Sequence, residues 1–264
     1  MYIIENIRRI EPFHGRVGLS IGNFEGFHRG HVKIIKRLIN ECKKLKLFSA
    51  VITFKQHPLK VLSGYEPEKL CAAADKIWCF KKSGIDLLIY IDFSPEFSAT
   101  SPLDFLIQLR KSLSPRILCL GSSFRFGKNN EGNLQLLLDT SEEFQYKLIS
   151  VDEVLYIGKP VSSTRIRNAI KEGKIKLATD LLGRQYSVYL AAESGNTLMK
   201  TFISNVAVPL TGKYSGKIEG LTTKELCSES FKISNKSFSP VSKDKYVNNQ
   251  IYQFYFDPID AGEK

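Results

Sequence analysis

Apolar runs of strand length alternate with helical patterns through the first two thirds of this 264-residue sequence. The strand-like runs cover residues 17–22, 47–54, 85–91, 116–120 and 143–151, and the helical patterns cover 32–39, 68–82 and 102–112. This alternation predicts βαβ units and a parallel sheet, an α/β fold. Ligands of such sheets bind beyond the carboxyl ends of the strands, so the first strand-to-helix turn is a candidate site.

That turn contains two histidines, His28 and His31, in the sequence FEGFHRGH at residues 24–31. Residues three apart share one helix face, and a helix N-terminus favours phosphate. Both imidazoles could therefore reach one phosphoryl group, although a surface pair or a metal half-site would show the same spacing. A zinc site needs more ligands, and His14 and His57 have no Cys or His at ligand spacing, so we predict no metal ligands.

The composition favours a cytoplasmic protein that binds small anions. The five cysteines are scattered, without a CxxC pair, which is typical of buried thiols in a reducing compartment. The sequence shows no signal peptide and no membrane-spanning apolar run, so we expect no membrane association. The net charge of +11 is spread over separated lysines, which predicts nucleotide phosphates as partners and no nucleic acid.

The pattern changes after Leu182, and from Tyr186 onward short strand-like runs replace the helices. These runs cover residues 202–208, 212–216 and 251–256 and predict a small all-β domain, a reduced or partial barrel. Residues 228–249 are rich in Ser and Lys, which predicts a mobile loop. We therefore expect two domains, residues 1–185 and residues 186–264.

Three further motifs follow predicted strands or begin a helix, and each has two interpretations. GSSFRFG at residues 121–127 could hold a planar ring and a phosphate, or its phenylalanines could fill the core. VSSTRIR at 161–167 could be a plain helix cap or a polyphosphate site. TFKQHP at 53–58 could line a ligand pocket or form a turn fixed by proline.

Together GNFEGFHRGH, TFKQHP, GSSFRFG and VSSTRIR resemble the prokaryotic FAD synthetases, over roughly residues 15–187 down to the LLGRQYS run. That family joins an N-terminal FMN adenylyltransferase to a C-terminal riboflavin kinase. The resemblance implies a Rossmann-like HxGH nucleotidyltransferase domain that transfers AMP from ATP, with Mg²⁺, to FMN, giving FAD and pyrophosphate. FMN phosphate is already an anionic nucleophile, so such a site has to align the reactants and neutralise charge.

The resemblance also implies roles for particular residues. The catalytic residues would be His28, His31 and Arg167. The ATP-binding residues would be Gly22, Asn23, Phe24, Gly26, His28, His31, Ser162, Ser163, Thr164 and Arg167. The flavin-binding residues would be Phe54, His57, Pro58, Ser123, Phe124, Arg125 and Phe126.

The sequence departs from the family in three places. Glu25 and Ser123 replace an Asp and an Asp or Asn, respectively, and residues 195–205 lack the Pro-Thr-Ala of the kinase motif. The family's closing helix and a clear match for its catalytic glutamate are also missing before Lys264, so we expect that kinase activity is lost. The alternatives are a bifunctional enzyme, a non-catalytic flavin or nucleotide sensor, or an adenylyltransferase for another phosphorylated metabolite. The last is disfavoured by GSSFRFG and TFKQHP, and the sequence does not predict the oligomeric state.

Overall fold

The computed structural model describes residues 1–5, 13–192, 199–242, 246–247 and 250–260. The chain divides into two units, which are described separately. The first unit consists of Met1–Pro67 and Ala73–Pro160, and the second consists of Glu68–Ala72 and Val161–Lys264. The predicted domain boundary after residue 185 stays a prediction, although the helices do end at Leu182 and the strands of the second unit begin at Ser187.

A parallel sheet forms the centre of the first unit, as the alternating pattern predicts. Its six strands are β1 (Tyr2–Ile4), β2 (Val17–Ile21), β3 (Phe48–Phe54), β4 (Leu87–Ile91), β5 (Ile117–Gly121) and β6 (Lys147–Val151). The spatial order is β1-β4-β3-β2-β5-β6, and every pairing is parallel. The order reverses at β2, between β3 and β5, which is the switch point where ligands of such sheets bind.

Helices connect these strands and cover both faces of the sheet. They are α1 (Arg29–Lys44), α2 (Pro58–Ser63), α3 (Ala73–Ser83), α4 (Pro95–Ser98), α5 (Pro102–Ser112), α6 (Leu134–Asp139) and α7 (Ser141–Phe144). Short 3₁₀ turns occupy Glu25–Phe27 and Lys128–Asn130, and β7 (Leu155–Tyr156) pairs with β8 (Lys159–Pro160). Leu19 and Ile52 face one core cluster and Val51 and Leu88 face the other, as expected for a sheet buried on both sides.

Two predicted boundaries in this part of the chain are wrong. The helix predicted over 68–82 begins at Ala73, because the backbone of Lys69 instead pairs with Asn205 and Ala207 at 2.7 and 2.9 Å. The strand predicted over 143–151 begins at Lys147, because Ser141–Phe144 is helical and Gln145 ends that helix with a φ of 56°. The first boundary is set by a tertiary contact, and the second by a short helix that precedes the strand.

The second unit begins with α8 (Ser163–Lys171) and α9 (Ile175–Leu182) and continues as an antiparallel barrel. Its strands are β9 (Ser187–Ala192), β10 (Met199–Thr201), β11 (Gly212–Gly220), β12 (Leu226–Ser234), β13 (Ser237–Pro240) and β14 (Ile251–Phe256). They close in the order β10-β13-β12-β11-β14-β9, and closure leaves no exposed sheet edge. The fully buried rings of Phe231, Phe238, Phe254 and Phe256 fill the centre.

The α/β fold followed by a β domain is confirmed, but three details of the β domain differ from prediction. The barrel is closed, not partial. The predicted loop over 228–249 contains part of β12 and all of β13, whose inward residues alternate with polar outward ones; residues 243–245 and 248–249 lie outside the described residues. The strand predicted over 202–208 is absent among the described residues, because β10 ends at Thr201.

Two other expectations concern the membrane and the kinase motif. In the part of the chain that the structure describes, no helix combines the length and apolar character needed to cross a bilayer. Of the 195–205 stretch that lacks Pro-Thr-Ala, residues 195–198 lie outside the described residues.

Candidate active site

The two histidines of the first strand-to-helix turn stack on each other. His28 caps α1 with extended backbone angles, φ −75° and ψ 174°, and His31 lies in the first turn of that helix. Their ring centroids are 3.6 Å apart and their planes differ by 19°. The structure therefore brings both imidazoles to one helix N-terminus, where backbone N–H groups and the helix dipole favour an anion.

The turn before His28 has an unusual backbone. Phe24, Gly26 and Phe27 have φ values of 51°, 72° and 43°. Glycine adopts such angles freely, whereas each phenylalanine is strained by about 1–3 kcal/mol and needs support from its surroundings. Both phenylalanine rings are buried and pack edge-on against Phe80, with centroids 5.4 and 4.9 Å away. This packing fixes the path of the chain into the histidine pair.

Electrostatic surroundings keep His31 neutral. Burial, then the neighbouring His28 and then Lys76, lowers the pKa of His31 well below its ordinary value. A neutral imidazole carries one donor and one acceptor nitrogen. Its buried Nδ1 has no hydrogen-bond partner among the residues that the structure describes, and the ring edge of Phe24 lies 5.1 Å from the His31 centroid. His31 can therefore orient a ligand by hydrogen bonding without adding charge.

Lys76, a buried residue of α3, lies beside this turn and belongs to none of the sequence motifs. Its Nζ donates hydrogen bonds to the carbonyl oxygens of Phe54 at 2.8 Å and Asn23 at 3.3 Å. The Asn23 carbonyl also accepts a hydrogen bond from Thr53 Oγ1 at 3.0 Å. The sequence offered one clue to Lys76: it lies four residues before Phe80 and so shares a helix face with it. Charged residues seldom occupy a buried helix face unless they are paired.

A cavity of about 830 Å³ opens beyond the carboxyl ends of the strands in the first unit. Six of the seven predicted flavin residues and two of the predicted ATP residues line it: Phe54, Pro58, Ser123, Phe124, Arg125 and Phe126, with Gly22 and Asn23. The rings of Phe124 and Phe126 lie at 15° to each other, with centroids 5.6 Å apart. Its size and its aromatic walls with a few polar groups suit a planar organic ligand.

His57 is the predicted flavin residue that does not line this cavity. It caps α2, and its Nδ1 accepts a hydrogen bond from the backbone N–H of Leu59 at 3.2 Å. Other lining residues were not predicted from the sequence, among them Leu59, Leu62, Phe93, Phe97, Phe105, Lys128, Asn129 and Asn130. Phe93 follows the carboxyl end of β4, so the sheet-edge rule used for the other motifs could have found it.

The serine-rich motif begins α8 in the second unit. Ser162 is the N-cap, and its hydroxyl accepts a hydrogen bond from the Arg165 N–H at 3.2 Å, so the plain capping interpretation is met. Ser163 and Thr164 form the first turn. Arg167 is buried, and its Nε donates to the carbonyl of Glu68 at 2.7 Å. Ser162 and Thr164 also line an open hollow of about 310 Å³.

The thiols of the first unit have no evident role in this site. Cys42, Cys79 and Cys119 are buried, and Cys71 is buried in the second unit. Burial raises the pKa of Cys42 to about 11 and that of Cys119 to about 12, which keeps both protonated and weakly nucleophilic at neutral pH. Cys227 corrects the expectation of buried thiols, because it is exposed on β12.

Comparison with known proteins confirms the resemblance. The FAD synthetase family model matches residues 11–165. A bifunctional riboflavin kinase/FMN adenylyltransferase of Buchnera aphidicola subsp. Schizaphis graminum is 31% identical over 97% of this chain and 85% of its own length. The Escherichia coli K12 protein of the same description is 30% identical over 86% of this chain and 76% of its own length.

A solved structure supports the fold. The crystal structure described as a macrolide-efflux protein from Streptococcus pneumoniae has a TM-score of 0.84 and 22% identity, covering 99% of this chain and 91% of that one. The likeness concerns the fold alone, while the family model spans more than half of the sequence and the whole histidine turn. The chain therefore belongs to the FAD synthetase family, a family of nucleotidyltransferases.

Proposed function

We propose that this enzyme transfers AMP from MgATP to FMN and releases FAD and pyrophosphate. The observation that carries the proposal is the stacked pair His28 and His31 at the N-terminus of α1, in the same unit as the aromatic cavity at the sheet edge. The histidine pair suits the α-phosphate of the adenylyl group in transfer, and the cavity suits the flavin ring of FMN, whose phosphate accepts that group.

The chemistry needs positioning more than a strong base. A phosphate oxygen of FMN attacks the α-phosphorus of ATP, the new P–O bond forms, and the bond to the bridging oxygen breaks as pyrophosphate leaves. The N–H groups of the α1 N-terminus and the imidazoles stabilise the negative charge that develops on the α-phosphate oxygens. In the cavity, Phe54, Phe124 and Phe126 contact the flavin ring, and Arg125 is a cation available to its phosphate.

The remaining ATP contacts are proposed from the motif. Ser162, Ser163, Thr164 and Arg167 hold the β- and γ-phosphates, a role suited to an N-terminus with hydroxyl groups and an arginine fork. Mg²⁺ enters as part of the MgATP substrate. No group of three or more His, Cys, Asp or Glu side chains suited to a metal exists among the described residues, and Mg²⁺ commonly depends on substrate phosphates for its ligands.

We also propose that riboflavin kinase activity has been lost. Residues 195–205 read GNTLMKTFISN, without the Pro-Thr-Ala of the family's kinase motif. The end of this stretch makes a structural contact, since the Asn205 carbonyl accepts a hydrogen bond from the Lys69 N–H at 2.7 Å. We further propose that the protein works in the cytoplasm on small molecules and binds no nucleic acid, because its lysines are scattered over the sequence.

The experiment is an assay of the purified protein with MgATP and either FMN or riboflavin, followed by chromatography of the flavins. We expect FAD from FMN, and neither FMN nor FAD from riboflavin. FMN appearing from riboflavin would show that the enzyme is bifunctional. Tight FMN binding without release of pyrophosphate would favour a non-catalytic flavin sensor, and adenylylation of other phosphorylated acceptors in competition would point to a different substrate.

A further inference from the structure

Lys76 is a buried cation that donates hydrogen bonds to backbone carbonyls near the histidine turn. Its side chain is about 5% exposed. A buried ammonium is costly unless it is well paired. Lys76 donates to Phe54 O at the end of β3 and to Asn23 O just after the end of β2, at 2.8 and 3.3 Å. It therefore joins the carboxyl ends of two adjacent strands at the point where the turn begins.

The same face of α3 contacts the turn a second time. Phe80 lies four residues after Lys76, so the two side chains project from one side of the helix. The Phe80 ring packs edge-on against Phe24 and Phe27, the two residues with strained positive φ. The Lys76 ammonium therefore binds the first carbonyl of the turn, and the Phe80 ring packs against two of its later residues.

We propose that Lys76 is a positioning residue for adenylyl transfer: together with Phe80 it holds the backbone from Asn23 to His28 in the geometry that presents the His28–His31 pair to the α-phosphate. The proposal rests on the proposed function of that pair. Lys76 itself is tied to backbone carbonyls, so it acts through the turn and not by touching the reacting atoms.

The charge of Lys76 also reaches the pair, which provides a readout independent of turnover. It is one of the three causes that lower the pKa of His31, after burial and His28. Removing the ammonium should therefore move the His31 titration partly back toward its ordinary value. A lysine that stabilised the fold from a place away from the histidine turn would leave both the His31 titration and the turnover of the folded enzyme unchanged.

The test compares Lys76→Met with Lys81→Met, an exposed position on the same helix. At a temperature where each variant is folded, we expect Lys76→Met to lower kcat by on the order of 10²-fold, as for a misplacement of about 1 Å, with KM for FMN within about twofold. Lys81→Met should match the parent. Lys76→Arg, which keeps the charge, should retain more activity than Lys76→Met.

Nuclear magnetic resonance of ¹⁵N-histidine-labelled protein gives the second readout, with the His31 signal assigned through His31→Gln. We expect the His31 pKa to be higher in Lys76→Met than in the parent and unchanged in Lys81→Met. Because the spectrum needs no substrate, an inactive parent would overturn the adenylyl-transfer proposal and leave this measurement valid. A parental kcat or a parental His31 titration in Lys76→Met would overturn the proposed role of Lys76.

A second variant covers the case in which Lys76→Met does not fold. Thr53→Val removes the other donor to the Asn23 carbonyl and leaves the ammonium in place. If the position of that carbonyl sets the turn, Thr53→Val should lower kcat by roughly three- to tenfold with KM for FMN unchanged. A parental kcat in this variant would then overturn the proposal.

Discussion

Among single residues, His28 occupies a position that several features of the fold define together. It ends a strained turn, caps α1 and stacks on His31 with centroids 3.6 Å apart. The motif HxGH indicates the spacing of the two rings, but stacking also depends on the left-handed backbone of Phe24 and Phe27. Those angles are disfavoured for phenylalanine and need support, which the packing of both rings on Phe80 provides.

The first prediction concerns His28. We expect His28→Ala to lower kcat for FAD formation by roughly 10²- to 10³-fold, because a group that stabilises developing charge is lost, while FMN affinity stays within about twofold. Steady-state kinetics and fluorescence titration of FMN measure the two effects. The exposed His14→Ala serves as the control. Near-parental turnover in His28→Ala would remove this residue from the mechanism.

The second prediction concerns His31 and pH. Its folded-state pKa lies well below the ordinary value of about 6.5, so the unfolded chain takes up a proton first as the pH falls. The stability that neutral His31 provides is therefore present above about pH 6.5 and is lost as the pH falls toward the folded-state pKa. We expect the free energy of unfolding, measured with urea, to fall more steeply below pH 6.5 for the parent than for His31→Gln. Parallel profiles would contradict this.

At the level of elements, strands hidden in polar sequence were the hardest to predict. Most of β12 (Leu226–Ser234) and all of β13 (Ser237–Pro240) lie within the 228–249 stretch, whose Ser and Lys content indicated a loop. Phe231 and Ile233 face the barrel centre at every second residue, and Glu229 continues the same inward series. An inward glutamate breaks the apolar alternation, and the physical reason for it is a set of hydrogen bonds that the sequence does not reveal.

The third prediction tests that glutamate. The Glu229 carboxylate accepts hydrogen bonds from the Ser230 N–H at 2.7 Å, from the N–H and hydroxyl of Ser242, and from the Tyr246 hydroxyl at 2.6 Å. Burial raises the pKa of Glu229, but these hydrogen bonds outweigh it and leave the pKa below its usual value. Glu229→Gln replaces an acceptor oxygen with a donor NH₂, so we expect a loss of about 1–3 kcal/mol in the free energy of unfolding.

Thermal and urea unfolding at pH 7 measure this loss, with the exposed Glu225→Gln as the matched control on the same hairpin. Because the folded-state pKa of Glu229 is lowered, its contribution is present above the unfolded-state value of about 4.3 and disappears as the pH falls through the folded-state value. The difference between parent and Glu229→Gln should therefore shrink in acid. A variant as stable as the parent at pH 7 would show that the hydrogen bonds add nothing net.

For the whole molecule, the notable feature is that the second unit takes five residues from the middle of the chain. Residues Glu68–Ala72 belong to it together with Val161–Lys264. Glu68 pairs with Lys171 on α8 and with Lys236, and its carbonyl accepts the hydrogen bond of Arg167. The helical pattern over 68–82 did not indicate this segment, because local spacing does not reveal pairing partners about a hundred residues or more away.

The fourth prediction follows from that segment. A protein consisting of residues 1–187 loses the backbone pairing of Lys69 with Asn205 and Ala207 and the ion pair of Glu68 with Lys236. We expect it to have a lower melting temperature and poorer solubility than the full chain. Circular dichroism and analytical size-exclusion chromatography measure this. A soluble fragment with unchanged melting temperature and FMN affinity would show that the barrel contributes neither stability nor flavin binding.

The sequence by itself determined the fold class, the two histidines at a strand-to-helix turn, and membership of the FAD synthetase family. These depend on local periodicity and on short motifs whose geometry is set within a few residues. Only the tertiary structure decided the support for that turn, the lining of the cavity by Phe93 and Phe97, and the capping role of His57. Those features depend on which distant segments meet. Lys76 is one lysine among many in the sequence, and only its burial beside two strand-end carbonyls distinguishes it as a cation bound at the start of the histidine turn.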